Sequence, residues 1–81
     1  MREIATVVTT SDYGKVHFRL GEVLKTKNAS KTALARLANV DYRVIKRMAD
    51  GDPIKVDLDI LARVCYVLEC SVADLMEYAE P

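Results

Sequence analysis

Residues 34–48 read LARLANVDYRVIKRM. Their apolar positions keep helical time, stop at Asn39-Val40-Asp41, and start again at once. Asparagine tolerates the left-handed backbone that turns a chain after a helix, and an aspartate carboxylate caps the next one. Val40, just before that cap, is placed to pack on Ile45 as a hydrophobic staple that sets the entry angle. Two short helices, about 31–38 and 42–49, joined by so tight a turn must cross steeply instead of lying antiparallel. That is a helix-turn-helix arrangement, which holds its second helix out from the body. Ala35 is small enough to let the two helices approach.

The apolar side of the second segment, Val44 or Ile45 with Met48, leaves Tyr42, Arg43, Lys46 and Arg47 facing outward. An exposed helix with three cations and an aromatic suits a DNA major groove. There guanidinium forks reach guanine O6 and N7, and a tyrosine ring meets a thymine methyl or a phosphate. Tyr42, Arg43 and Arg47 are therefore the candidate base readers. Lys31, beside the amide end of its helix, is placed for a phosphate, with Ser30, Thr32 and Lys46 as further backbone contacts. The plainer reading is a solvated basic face and an ordinary surface lysine.

The remaining pattern supplies a body for that pair. Leu20, Val23 and Leu24 mark a first helix ending near Lys27, weakened by Gly21, with Asn28 turning the chain and Ser30 capping the next helix. Leu34, Leu37, Ala35 and Ala38 are the predicted inner face of the second helix. Gly51-Asp52-Pro53 ends the third and forms a loop. Asp57 caps a fourth helix, whose stripe is Leu58, Leu61, Val64, Cys65 and Leu68. Ser71 with Asp74 resembles a capping box for a fifth, VADLMEYA. Ahead of all this, EIATVVTT at 3–10 reads as a strand, SDYG at 11–14 as a turn and KVHF as a short return strand. Such a hairpin is marginal alone. It needs the helical domain or, the preferred reading, its counterpart in a second chain. The predicted organisation is an N-terminal β-like arm at 1–15 and a helical domain at 16–81.

Eighty-one residues make one domain, and so short a chain buries only about 60–65% of the surface its unfolded form exposes. Its net charge of zero hides an asymmetry. Residues 15–47 carry nine Lys or Arg against Glu22 and Asp41, a balance of +7, whereas 48–81 carry Lys55 and Arg63 against eight acids, a balance of −6. A dipole of this kind offers one face to an anionic partner. No apolar run is long enough to span a bilayer and the N-terminus lacks a signal-peptide layout, so a cytoplasmic protein is expected. Cys65 and Cys70, five apart, form neither a CxxC pair nor a zinc half-site, and His17 is distant. No metal, cofactor or disulfide is expected; Cys65 reads as a small buried hydrophobe and Cys70 as a partly buried helix-end residue.

The blocks SKTALARLANVDYRVIKRMADG (30–51) and VDLDILARVCYVLECSVADLMEY (56–78) resemble the Xre-like helix-turn-helix family of small phage repressors and Cro proteins. The likeness covers about 19–78. It implies an all-α, five-helix phage-repressor-like domain, here with the short N-terminal β-strand or hairpin arm outside the pattern. It also implies that the second and third helices form the DNA-binding unit. Lys31 matches the family's phosphate-touching glutamine, Tyr42, Arg43 and Arg47 match groove-reading positions, and Lys46 matches a flanking one. Asn39 stands for the usual glycine and Asp41 for the usual Ser or Thr cap. Asp41 thereby puts a negative charge near a phosphate-facing edge.

The expected function is sequence-specific binding of double-stranded DNA by a transcriptional regulator, a repressor, acting as a homodimer on a two-fold site. The alternative is a protein-interaction module of the same fold, an antitoxin or anti-repressor, favoured by the acidic C-terminal half. An enzyme is not expected, since no catalytic constellation or phosphate-binding glycine loop occurs; no membrane contact or small-molecule ligand is evident either. Dimer surfaces considered are the 3–10 strand and the apolar residues Leu75, Met76 and Tyr78.

Overall fold

The computed structural model describes residues 7–9, 12–51 and 55–81. In chain order these form β1 (Lys15–Phe18), α1 (Leu20–Thr26), α2 (Lys31–Ala38), α3 (Tyr42–Asp50), α4 (Leu58–Leu68), α5 (Val72–Leu75) and β2 (Met76–Ala79). The fold is mostly helical, five helices with one two-stranded antiparallel sheet.

Four of the five helices start where a short polar side chain takes up an orphan amide; α1 alone among those described starts, at Arg19, without a side-chain cap. Ser30 accepts from Ala33, Asp41 from Arg43, Asp57 from Asp59, and Ser71 from Asp74 in a reciprocal capping box. The ends are equally local. Asn28, Asn39 and Glu69 all take left-handed backbone. After each, the next amide reaches back five residues: Ala29 to Leu24, Val40 to Ala35 and Cys70 to Cys65. Gly51 ends α3; Asp52 and Pro53 of the expected loop lie outside the described residues.

Leu20, Leu24, Leu34, Ala35, Ala38, Ile45, Met48, Leu61, Val64, Leu68 and Leu75 form the buried core. Within it α2 packs on α3 and α4, and α1 on α3 and α5. Gly21 has its reason here: a Cβ on it would stand 3.1 Å from the Ala49 carbonyl oxygen, where α1 crosses the end of α3. Two expected core residues are not buried. Leu37 is 59% and Leu58 77% exposed: Leu37 lies at the rim of a shallow groove between α2 and α4, beside Ala62 and Tyr66, and Leu58 is the first residue of its helix. Val44 and Cys65 are half-buried against the core.

The sheet departs most from expectation. The KVHF segment is a strand, but it pairs with β2, Lys15 opposite Ala79 and Phe18 opposite Met76. The expected partner at 3–10 lies mostly outside the described residues, and Val7–Thr9 are not in a strand. The fifth helix, expected through Ala79, stops at Leu75 because Met76 turns extended, at φ −136° and ψ 144°. Strand pairing with 15–18 outweighs the helical preference of MEYA, and the Leu75 carbonyl accepts the Arg19 amide at 2.6 Å. The Tyr78 hydroxyl then accepts the Gly14 amide at 2.9 Å. Gly14 is buried there, and any Cβ would collide with the Ala79 carbonyl. Leu75 is fully buried in its own core, which removes it as a dimer surface.

Candidate nucleic-acid interface

The corner between α2 and α3 is held from three sides. Asn39 supplies the left-handed turn, at φ 55° and ψ 52°. Val40 is half-buried on the core. From α4, the Arg63 guanidinium donates to the Asn39 carbonyl at 3.1 Å while pairing with Asp59 at 2.9 Å. The arginine clip was not read from the sequence, because the two residues lie 24 apart; only its i, i+4 relation to Asp59 was visible.

Ile45 and Met48 of α3 are fully buried, and Tyr42, Arg43, Lys46 and Arg47 are exposed. Tyr42, Lys46 and Asp50 follow one another at i, i+4, i+8 along one stripe. The amino-terminal end of α2 lies against that stripe: Ser30, Lys31 and Thr32 line a groove shared with Tyr42, Lys25 and Arg19. Five of the seven predicted contact residues are thereby brought together, Ser30, Lys31, Thr32 and Tyr42 along the groove and Lys46 through Asp50, while Arg43 and Arg47 lie on the adjacent stripe of α3.

Two carboxylates lie among these cations. Asp41 accepts from Arg43 three times: from the amide and Nε at Oδ1, 2.8 and 3.3 Å, and from Nη2 at Oδ2, 3.0 Å. The guanidinium hydrogen bond, with the amide second, holds the Asp41 carboxyl below the usual range, and Asp41 in turn raises Arg43. The negative charge expected at the phosphate-facing edge is thus matched within its own turn. Asp50 takes Lys46 Nζ at 2.9 Å and Lys31 Nζ at 3.9 Å. Lys46, then Lys31, hold its carboxyl low. Sequence reading missed Asp50 as a member of the site, although its i, i+4 spacing from Lys46 was available. Arg47 has no ion pair among the described residues.

Cys65 and Cys70 are free and half-buried, and burial, with Cys65 beside it, pushes the Cys70 thiol up. Among the described residues no group of three or more His, Cys, Asp or Glu side chains could hold a metal ion. No helix there is long and apolar enough to cross a membrane.

The family model of the Cro/C1-type helix-turn-helix DNA-binding domain matches residues 19–81. The chain belongs to this family. The Cro/C1-type match begins just before α1 and takes in every helix and β2. Two crystal structures share the fold. A proposed DNA-binding protein from Bacteroides fragilis superposes with a TM-score of 0.68 at 22% identity, covering 78% of this chain and 100% of its own. The transcriptional regulator VanUg superposes with a TM-score of 0.69 at 18% identity, covering 94% of this chain and 100% of its own. Among curated proteins no significant match is found.

Proposed function

We propose that this Cro/C1-type domain is a sequence-specific regulator of transcription, a repressor, that lays α3 in the major groove of double-stranded DNA. Residues 16–81 would act as the binding unit, in the cytoplasm. Tyr42, Arg43 and Arg47 read base edges. Lys31, Lys46, Ser30 and Thr32 meet the sugar-phosphate backbone. The observation that carries this reading is the clipped corner at 39–41, which presents α3 with Ile45 and Met48 inward and its cations outward. The Ser30 hydroxyl already accepts from Ala33 at 3.0 Å, which leaves its proton for a phosphate oxygen.

A module of this size buries only about 600–1,000 Å² on DNA, so useful affinity calls for two copies on half-sites about 34 Å apart. Selection from random duplexes at stated salt, followed by titration of the selected site, tests the reading. Arg43→Ala and Arg47→Ala are each expected to weaken the selected site by about 1–3 kcal/mol if bidentate to guanine. Binding should fall steeply with salt. Failure to enrich any sequence, or affinity indifferent to both arginines, would refute it. Sedimentation with and without the selected duplex checks the two-copy state.

A further inference from the structure

We propose that Asp41, besides capping α3, is a positioning residue for base recognition, holding Arg43 by one edge of its guanidinium so that the other edge is presented to guanine. The inference rests on the major-groove reading above and assigns a role to a residue that does not itself touch DNA.

The argument is a count of donors. A guanidinium has five N–H groups arranged on two usable edges, Nε with Nη2 and Nη1 with Nη2. Asp41 occupies the first, with Nε at 3.3 Å and Nη2 at 3.0 Å. The terminal pair, Nη1 and the second Nη2 hydrogen, is left for an incoming acceptor. The Arg43 side chain is 87% exposed, so that fork is open to approach. The carboxylate is itself fixed, because Oδ1 also accepts the Arg43 amide at 2.8 Å. One oxygen therefore ties the start of the helix to the orientation of the side chain that leaves it.

Two consequences follow from elementary electrostatics. An unpaired arginine loses rotamer freedom when it docks, whereas a held one has already lost part of it. A bare cation is also drawn to any phosphate, independent of sequence. A guanidinium already matched by a carboxylate is a poor phosphate ligand, yet it keeps two parallel donors at the spacing of guanine O6 and N7. The pair trades general affinity for discrimination.

Asp41→Ser separates the two roles, since serine caps about as well as aspartate but cannot hold a guanidinium. The experiment compares wild type, Asp41→Ser, Arg43→Ala and the double variant for enrichment from random duplexes and for affinity to a selected and a random duplex. Asp41→Ser is expected to reduce the preference for guanine at one position about 2- to 10-fold, the scale of ordering one long side chain. It should also bind the random duplex more tightly, with a salt slope steeper by about one phosphate contact. In the Arg43→Ala background the same change should leave base preference unmoved. Asp41→Asn, which keeps an oxygen for the cap and a weaker acceptor for the guanidinium, should fall between, and serves if the serine variant folds poorly. An unchanged base preference in both variants, or an equal loss without Arg43, overturns the assignment while the major-groove reading stands. A wild-type protein that enriches no sequence removes both.

Discussion

Asp50 occupies an unusual place for a carboxylate, between a lysine at the start of α2 and a lysine on the outer face of α3. On the proposed reading each of those lysines would exchange Asp50 for a phosphate on binding DNA, so the aspartate would subtract from sequence-independent affinity. The expected outcome of Asp50→Asn is a several-fold gain in binding to random duplex and a salt slope steeper by about one contact, measured by titration at several salt concentrations. Weaker binding would instead make Asp50 a structural clip. Of the site, the cation positions were legible because a helical period and a cap determine which residues point outward. Their carboxylate partners were half-legible: an acid two or four residues away is visible in the chain, but whether it turns toward the cation depends on the rotamers the neighbouring helix permits.

Elements whose signals are local were read correctly, KVHF among them, whereas pairings decided across the chain were not. Caps at Ser30, Asp41, Asp57 and Ser71 and left-handed ends at Asn28 and Asn39 depend on a few adjacent residues. The β2 strand depends on a partner some 60 residues earlier, which no window over 72–79 contains. Leu37 and Leu58 carry the right period for a core but stay exposed, one at a groove rim and one at a helix start. Glu69 ends α4 in left-handed backbone at φ 51°, a conformation that costs a residue with a Cβ about 1–2 kcal/mol. Among the described residues its side chain accepts no hydrogen bond; the bond from Lys27 goes to its carbonyl. Glu69→Gly should relieve that strain, less what glycine adds to unfolded-chain entropy. The net gain is expected near 0.5 kcal/mol, a Tm rise of about 2–4 °C by thermal melting. A fall in Tm would mean the glutamate side chain stabilises the helix end in another way.

At the scale of the molecule, four exposed carboxyls share one direction of shift. Asp12, Asp41, Asp50 and Asp74 are all held below their ordinary value of 3.8, the first and last chiefly by backbone amides of Thr9 and Ser71, the other two by Arg43 and Lys46. A folded-state value below the unfolded one means the contribution is present above the unfolded value and is lost as pH falls through the folded one. Stability should therefore be level near neutrality and decline on acidification below about pH 4–5. Urea midpoints between pH 7 and pH 3 check this, and Asp74→Asn should flatten the decline. A midpoint that rises toward pH 3 would contradict it.

The small sheet has a kinetic meaning as well. Gly14 and Tyr78 are 64 positions apart, so bringing them together closes a loop around almost the whole chain, and the entropy of that closure grows with the logarithm of its length. The α2–α3 corner needs contacts only a turn or two away, and its clip from α4 spans 24 residues. Assembly from short range to long would leave the flanking strands to zip last, and warming would part them first. Residues 15–18 and 76–79 are thus expected to act as a buckle on a belt, releasable while the corner between α2 and α3 keeps its shape.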